Sequence, residues 1–139
     1  MHVNVSWKGK LAFEADTESG HQILLDAKPN VGGEDKGPRP MEVLLVSLAG
    51  CTGMDVVSIL KKKRVNLQNM TIRIDADRAL QHPKYFTKIE VKFNFEGRGI
   101  KEEDVKQAIE LSANKYCSIG VMLQDKAEIS YRWEIANSE

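Results

Sequence analysis

Between Val43 and Leu60 the chain carries one charged side chain, Asp55, in an otherwise apolar or small-residue run. Few features restrict a fold more. The run begins after Pro38-Arg39-Pro40-Met41-Glu42 and ends at Lys61-Lys62-Lys63-Arg64. Pro40 suits a first helical turn, where its missing N–H costs nothing. Glu42 places negative charge at the positive end, and the four cations close the negative end. The stretch therefore predicts one long helix. It is apolar on most sides, so it is expected to be central and buried. A membrane crossing is the competing reading. Ser47, Thr52, Asp55 and Ser58 interrupt the run, and an Asp near a bilayer centre costs about 3 kcal/mol. We read a core helix.

At about 100° per residue, Ser47, Cys51, Asp55 and Ser58 share one stripe of that helix. One reading is a buried cysteine packing as a small hydrophobe, with Asp55 satisfied by serine or backbone groups. The other is a reactive thiol in a small pocket.

The length of 139 residues suits one domain spanning 1–139. Twenty basic and twenty acidic residues are mixed along the chain, giving no nucleic-acid footprint. The N-terminus alternates polar and apolar residues instead of showing a signal-peptide pattern, so a cytoplasmic location without a membrane partner is expected. In that compartment a thiol pair is more often catalytic or redox-sensing than structural. The only cysteines are Cys51 and Cys117. Ligand spacing of the zinc-site kind, phosphate loops and nucleophile elbows are not seen, and no cofactor or metal is expected.

Alternation predicts strands around Val3-Val5-Trp7, Leu11-Phe13-Ala15 and His21 to Asp26, forming an antiparallel meander. Lys28 to Pro38, with Pro29, Gly32, Gly33 and Gly37, reads as a loop. After the long helix, Met70-Ile72-Ile74-Ala76 predicts a fourth strand. Ile89-Val91-Phe93-Phe95 predicts a fifth, paired with it as a long hairpin. A second helix starts at Lys101-Glu102-Glu103-Asp104 and runs to about Lys115. Asn114 or Ser118 is a suitable cap, so this helix is expected to break near Tyr116-Cys117 and restart through Leu123. That places Cys117 near a helix N-terminus, where a thiolate is favoured. Ile129, Tyr131 and Trp133 predict a last strand. The fold class is α+β, antiparallel sheets with two main helices. The strands offer more alternating apolar residues than two helices cover. Trp7, Phe93, Phe95 and Trp133 are candidates for a core shared in a homodimer.

Three segments carry a family resemblance. They are Pro40-Met41-Glu42-Val43-Leu44-Leu45 leading to Gly50-Cys51-Thr52-Gly53-Met54-Asp55-Val56-Val57-Ser58-Ile59-Leu60; His82-Pro83 with Phe86-Thr87-Lys88; and Leu111-Ser112-Ala113-Asn114-Lys115-Tyr116-Cys117-Ser118. With these the chain resembles the OsmC/Ohr superfamily, most closely its YhfA-type branch. The resemblance implies an intertwined homodimer and, for better-characterised members, thiol-dependent reduction of organic hydroperoxides by an external dithiol. It places Cys51 at the peroxide-attacking thiol and Cys117 at the resolving thiol.

Two departures stand out. The peroxidase branches hold the thiolate with an arginine from an early strand, and no arginine precedes Arg39 here. Their glutamate lies one position before Glu42, where this chain has Met41. Along one helix Glu42 would sit about 13 Å from Cys51 on the opposite side, so it would reach that thiol only from a bent helix start or another subunit. Asp55, one turn after Cys51, is the nearer carboxylate and works against a thiolate unless it acts as a base. The candidate catalytic residues are Cys51, Cys117, Glu42 and Asp55. The expected function is a two-cysteine hydroperoxide reductase; the alternative is a non-enzymatic redox-sensing or small-ligand-binding dimer.

Overall fold

The computed structural model describes residues 1–139. The chain divides into two compact units, Met1–Val46 and Ser47–Glu139.

In the first unit, β1 (Val3–Trp7), β2 (Phe13–Thr17) and β3 (Gln22–Leu25) form an antiparallel sheet in that order. It buries little: Ala12 and Ala15 are its buried apolar residues, while Val3, Val5, Trp7 and Ile23 stay exposed. The following loop is organised by Asp26, which is 3% exposed. Its Oδ1 accepts the Ala27 N–H at 2.7 Å, and its Oδ2 accepts those of Lys36 at 3.1 Å and Glu34 at 3.3 Å. These hydrogen bonds, Ala27 first, hold the Asp26 carboxyl below its ordinary range, against the opposing effect of burial. Gly33 fits here because a Cβ would lie 2.0 Å from the Ala27 carbonyl oxygen.

Helix α1 (Pro40–Lys62) begins in the first unit and continues in the second. Its first turn is closed by Glu42, whose Oε1 accepts the Arg39 N–H at 2.9 Å, while the Arg39 carbonyl accepts from Val43 at 3.1 Å. That is the reciprocal half of a capping box.

In the second unit α1 leads to β4 (Asn66–Arg78) and β5 (Phe86–Arg98), then α2 (Glu102–Leu111), a π-turn over Ser112–Tyr116, α3 (Ser118–Leu123) and β6 (Glu128–Asn137). The element order is the one expected. One pairing differs: β5 is central, antiparallel to β4 but parallel to β6. The second sheet is therefore mixed. A parallel neighbour requires a crossover connection, and α2 with α3 supplies it.

Register explains the core. Ile74, Val91 and Tyr131 stand side by side across the three strands, as do Ile72, Phe93 and Trp133, and Met70, Phe95 and Ile135. Phe93 and Phe95 are fully buried within the chain, their ring centroids 5.7 Å apart. Trp133 is half-buried and donates its indole N–H to Glu102 Oε1 at 2.9 Å. Trp7 is 66% exposed. The alternate positions carry charge, with Arg132 on Glu90 at 2.9 Å and Lys92 on Glu134 at 3.2 Å.

Within this unit α1 buries one face: Leu48, Thr52, Gly53, Val56 and Leu60. A Cβ on Gly53 would meet Ile72 Cδ1 at 2.9 Å, so the glycine permits the close approach of helix and sheet. The expectation of burial on most sides is corrected, because Met54 and Val57 are exposed. Composition made the helix apolar all round, but the chain supplies a partner for one face only. By length and composition α1 also meets the requirement for crossing a membrane, as core helices commonly do.

Candidate active site: a thiol pair with a carboxylate

Cys51 lies on α1 beside the buried stripe and is half-buried. Asp55 follows one helical turn later, also half-buried. Cys117 comes from the junction between the π-turn and α3 and is 3% exposed. The two sulfurs and a carboxylate oxygen of Asp55 all lie within 4.8 Å of one another. Residues 66 positions apart in the chain thus form one cluster in the second unit. Glu42 belongs to the first unit, where its carboxylate closes the start of α1.

The π-turn has a direct part in this placement. Its wide closing hydrogen bond, Cys117 N–H to the Ser112 carbonyl at 2.8 Å, ends the helical run and releases Cys117 into extended backbone. The break near Tyr116-Cys117 and the restart through Leu123 are as expected. The cap is different. Neither Asn114 nor Ser118 fills it; Cys117 itself is the N-cap of α3, its Sγ accepting the Gly120 N–H at 3.3 Å.

Proximity to that helix start does not favour the Cys117 thiolate overall. Burial pushes the thiol above its ordinary range. The Thr52 hydroxyl and the Gly120 N–H oppose the rise, while Cys51 adds to it. Tyr131 is affected too: its phenol is raised, first by burial and then by the charge of Cys117.

Two residues of this neighbourhood were not singled out from the sequence. Thr52 Oγ1 lies 3.4 Å from Cys117 Sγ and is fully buried. Ser112, also fully buried, donates its hydroxyl to Asp55 Oδ2 at 2.8 Å. Their signal was modest: small polar residues at core positions of helical patterns, each needing a partner. The hydroxyl on Asp55 comes from the π-turn, not from Ser58, which is exposed. Beside Asp55 opens a cavity of about 270 Å³ lined by Asp55, Ser58, Ile59, Lys62, Leu111 and Tyr116. A larger hollow of about 580 Å³ lies on the charged side of the second sheet, among Asp75, Asp77, Lys88 and Glu90, and includes neither thiol.

Residues 33–132 match the family of OsmC-like proteins. Protein YhfA of Escherichia coli strain K12 is 39% identical over 135 residues, which covers 97% of this chain and 98% of that protein. The chain belongs to the OsmC-like family. A crystal structure of a hypothetical protein from Aquifex aeolicus VF5 superposes with a TM-score of 0.87 at 34% identity, covering 99% of this chain and 97% of that one. The OsmC-like fold also extends to an organic hydroperoxide resistance protein from Elizabethkingia anophelis, with a TM-score of 0.71 at 13% identity over 99% and 97% of the two chains. That likeness is one of fold.

Proposed function

We propose that this OsmC-like protein is a cytoplasmic, thiol-dependent organic hydroperoxide reductase working through a two-cysteine cycle. The observation that carries the reading is the meeting of Cys51, Asp55 and Cys117 within 4.8 Å. Cys51 is the less buried of the two cysteines and takes the role of nucleophile. Its thiolate attacks the terminal peroxide oxygen, the O–O bond breaks, and the alkoxide takes up a proton to leave as an alcohol. Cys51 becomes a sulfenic acid. Cys117 then attacks the Cys51 sulfur, water departs, and a disulfide forms. An external dithiol returns both to thiols. In this reading Asp55, steadied by Ser112, takes the Cys51 proton and returns it to the alkoxide. Glu42 has a part only as a carboxylate delivered from a second copy of the chain.

A homodimer belongs to the proposal. In the first unit Trp7, and in the second Met54 and Met122, are each more than 60% exposed, large apolar side chains that a second copy of the chain would cover in the proposed dimer. A specific observation supports the redox-sensing alternative: Cys117 caps α3, so pulling its sulfur toward Cys51 removes that cap.

The test is consumption of tert-butyl hydroperoxide with dithiothreitol as reductant, with peptide mapping of the oxidised protein. Activity lost in Cys51→Ser, and a Cys51–Cys117 disulfide in the wild type, support the reductase. Full activity in Cys51→Ser sinks it. A disulfide formed without turnover favours the sensor.

A further inference from the structure

We propose that the reduced protein binds one zinc ion per chain through Cys51 Sγ, Cys117 Sγ and the Asp55 carboxylate. The inference goes beyond the reductase reading and does not rest on turnover, although it uses the same sulfurs. Ligand spacing along the chain does not reveal such a site, because two donors come from α1 and the third from the cap of α3. In space the three donor atoms lie within 4.8 Å of one another. Around zinc, sulfur ligands sit at about 2.3 Å and carboxylate oxygens at about 2.0–2.2 Å, so a tetrahedral arrangement brings such donors to about 3.5–4 Å of one another. Side-chain rotations of about 1 Å close the difference.

The surroundings suit a metal. Ser112 donates to Asp55 Oδ2, fixing the carboxylate from behind as an outer-shell partner does and leaving its other oxygen to bind. Thr52 Oγ1 fixes Cys117 in the same way. Two thiolates and one carboxylate select zinc over magnesium or calcium, which take all-oxygen sets. Three protein ligands leave a fourth position for water, the open coordination seen in catalytic zinc sites.

Binding releases the two thiol protons to solvent. Zinc occupancy and the disulfide are mutually exclusive. When a hydroperoxide oxidises the two sulfurs by two electrons, it is reduced to alcohol and water with two protons from solvent. The S–S bond that forms replaces both Zn–S bonds, and the ion is released. The thiol pair is thus a redox-gated zinc site.

The test titrates zinc into chelator-stripped, fully reduced full-length protein under anaerobic conditions, in competition with a chromophoric chelator. Expected are one zinc per chain, a loss of affinity of about 100-fold or more in Cys51→Ser, Cys117→Ser and Asp55→Asn, each of which removes a ligand, and a loss of about 10–100-fold in Ser112→Ala, which removes the donor behind Asp55. Cobalt(II) should give a thiolate charge-transfer band that weakens in Cys51→Ser, where only the Cys117 sulfur remains. Diamide oxidation should expel the zinc. Cys117→Ser alters the cap of α3, so its circular dichroism is checked; Cys51→Ser caps no helix and decides the matter if Cys117→Ser misfolds. Zinc bound equally by wild type and Cys51→Ser, or retained by the oxidised protein, overturns the proposal. Hydroperoxide consumption is measured separately in chelator. Turnover without zinc binding defeats only this inference, and zinc binding without turnover defeats only the reductase.

Discussion

Thr52 Oγ1 lies 3.4 Å from Cys117 Sγ, so the residue next to the candidate nucleophile on α1 holds the candidate resolving thiol. The two cysteines are therefore linked by a buried contact as well as by proximity. Thr52→Val keeps the shape and removes the hydroxyl. Stability should change by no more than about 1.5 kcal/mol, since a single such contact contributes about 0.5–1.5 kcal/mol net. The rate of Cys51–Cys117 disulfide formation after one peroxide equivalent should fall, because Cys117 loses its fixed position. Urea melts and quenched-flow peptide mapping measure the two effects. An unchanged rate refutes the positioning role.

Ser112→Ala should cost about 1–3 kcal/mol, because it leaves the half-buried Asp55 carboxylate short of a donor. Asp55→Asn in the same background should recover part of that loss. A double-mutant cycle by chemical denaturation gives the coupling. Additive losses would show that the 2.8 Å contact contributes nothing.

Phe93→Ala should destabilise by about 3–5 kcal/mol. Phe93 is fully buried between Ile72 and Trp133 on the central strand, and its ring stacks on Phe95. Thermal or urea unfolding measures the loss. A change below 1 kcal/mol is not expected for a cavity in this row.

Asp26 gives a pH signature. Its folded carboxyl is held below the ordinary value, chiefly by the Ala27 N–H, so the charged form is favoured by folding. That contribution is complete above the unfolded value of about 3.9 and is lost as pH falls through the lowered folded value. Asp26→Asn should be less stable than the wild type at pH 7, and the gap should narrow as pH falls below about 4. Denaturation midpoints across pH 2–7 test this; a constant gap would contradict it.

Met54→Asp tests the dimer. Met54 is 77% exposed, so the charge disturbs little within one chain. Sedimentation velocity should show a folded monomer for the variant and a dimer for the wild type. A wild-type monomer at micromolar concentration, or an unaffected variant dimer, counts against the proposed assembly.

Much of this architecture was legible because the strands alternate cleanly. Ile89, Val91, Phe93 and Phe95 announce a one-sided strand, and the structure buries all four. The direction of β6 was not legible. Ile129, Tyr131 and Trp133 present the same face whether the strand runs up or down, and only the crossover through α2 and α3 fixes it. The exposed side of α1 was not legible either, since apolar composition does not say how many faces find partners. At the site, both thiols and Asp55 were visible as reactive types in an apolar setting. Ser112 and Thr52 were not, because their importance comes from a tertiary meeting of two helices. The cap of α3 went to Cys117 because its own sulfur reaches the Gly120 N–H, an acceptor outside the preferred Asn, Asp, Ser and Thr caps.

The parallel pairing of β5 with β6 also closes a loop of chain around Cys117. Everything that carries Cys117 lies on the crossover between those two strands, so its anchorage at the far end is the docking of β6. That strand is fastened by paired hydrogen bonds between its last residue, Asn137, and Ile100 at the start of the crossover, at 2.8 Å and 3.1 Å. The segment that bears Cys117 is thus held at both ends by one pair of strands, and a break in the β5–β6 pairing would free the candidate resolving thiol from one of its anchors.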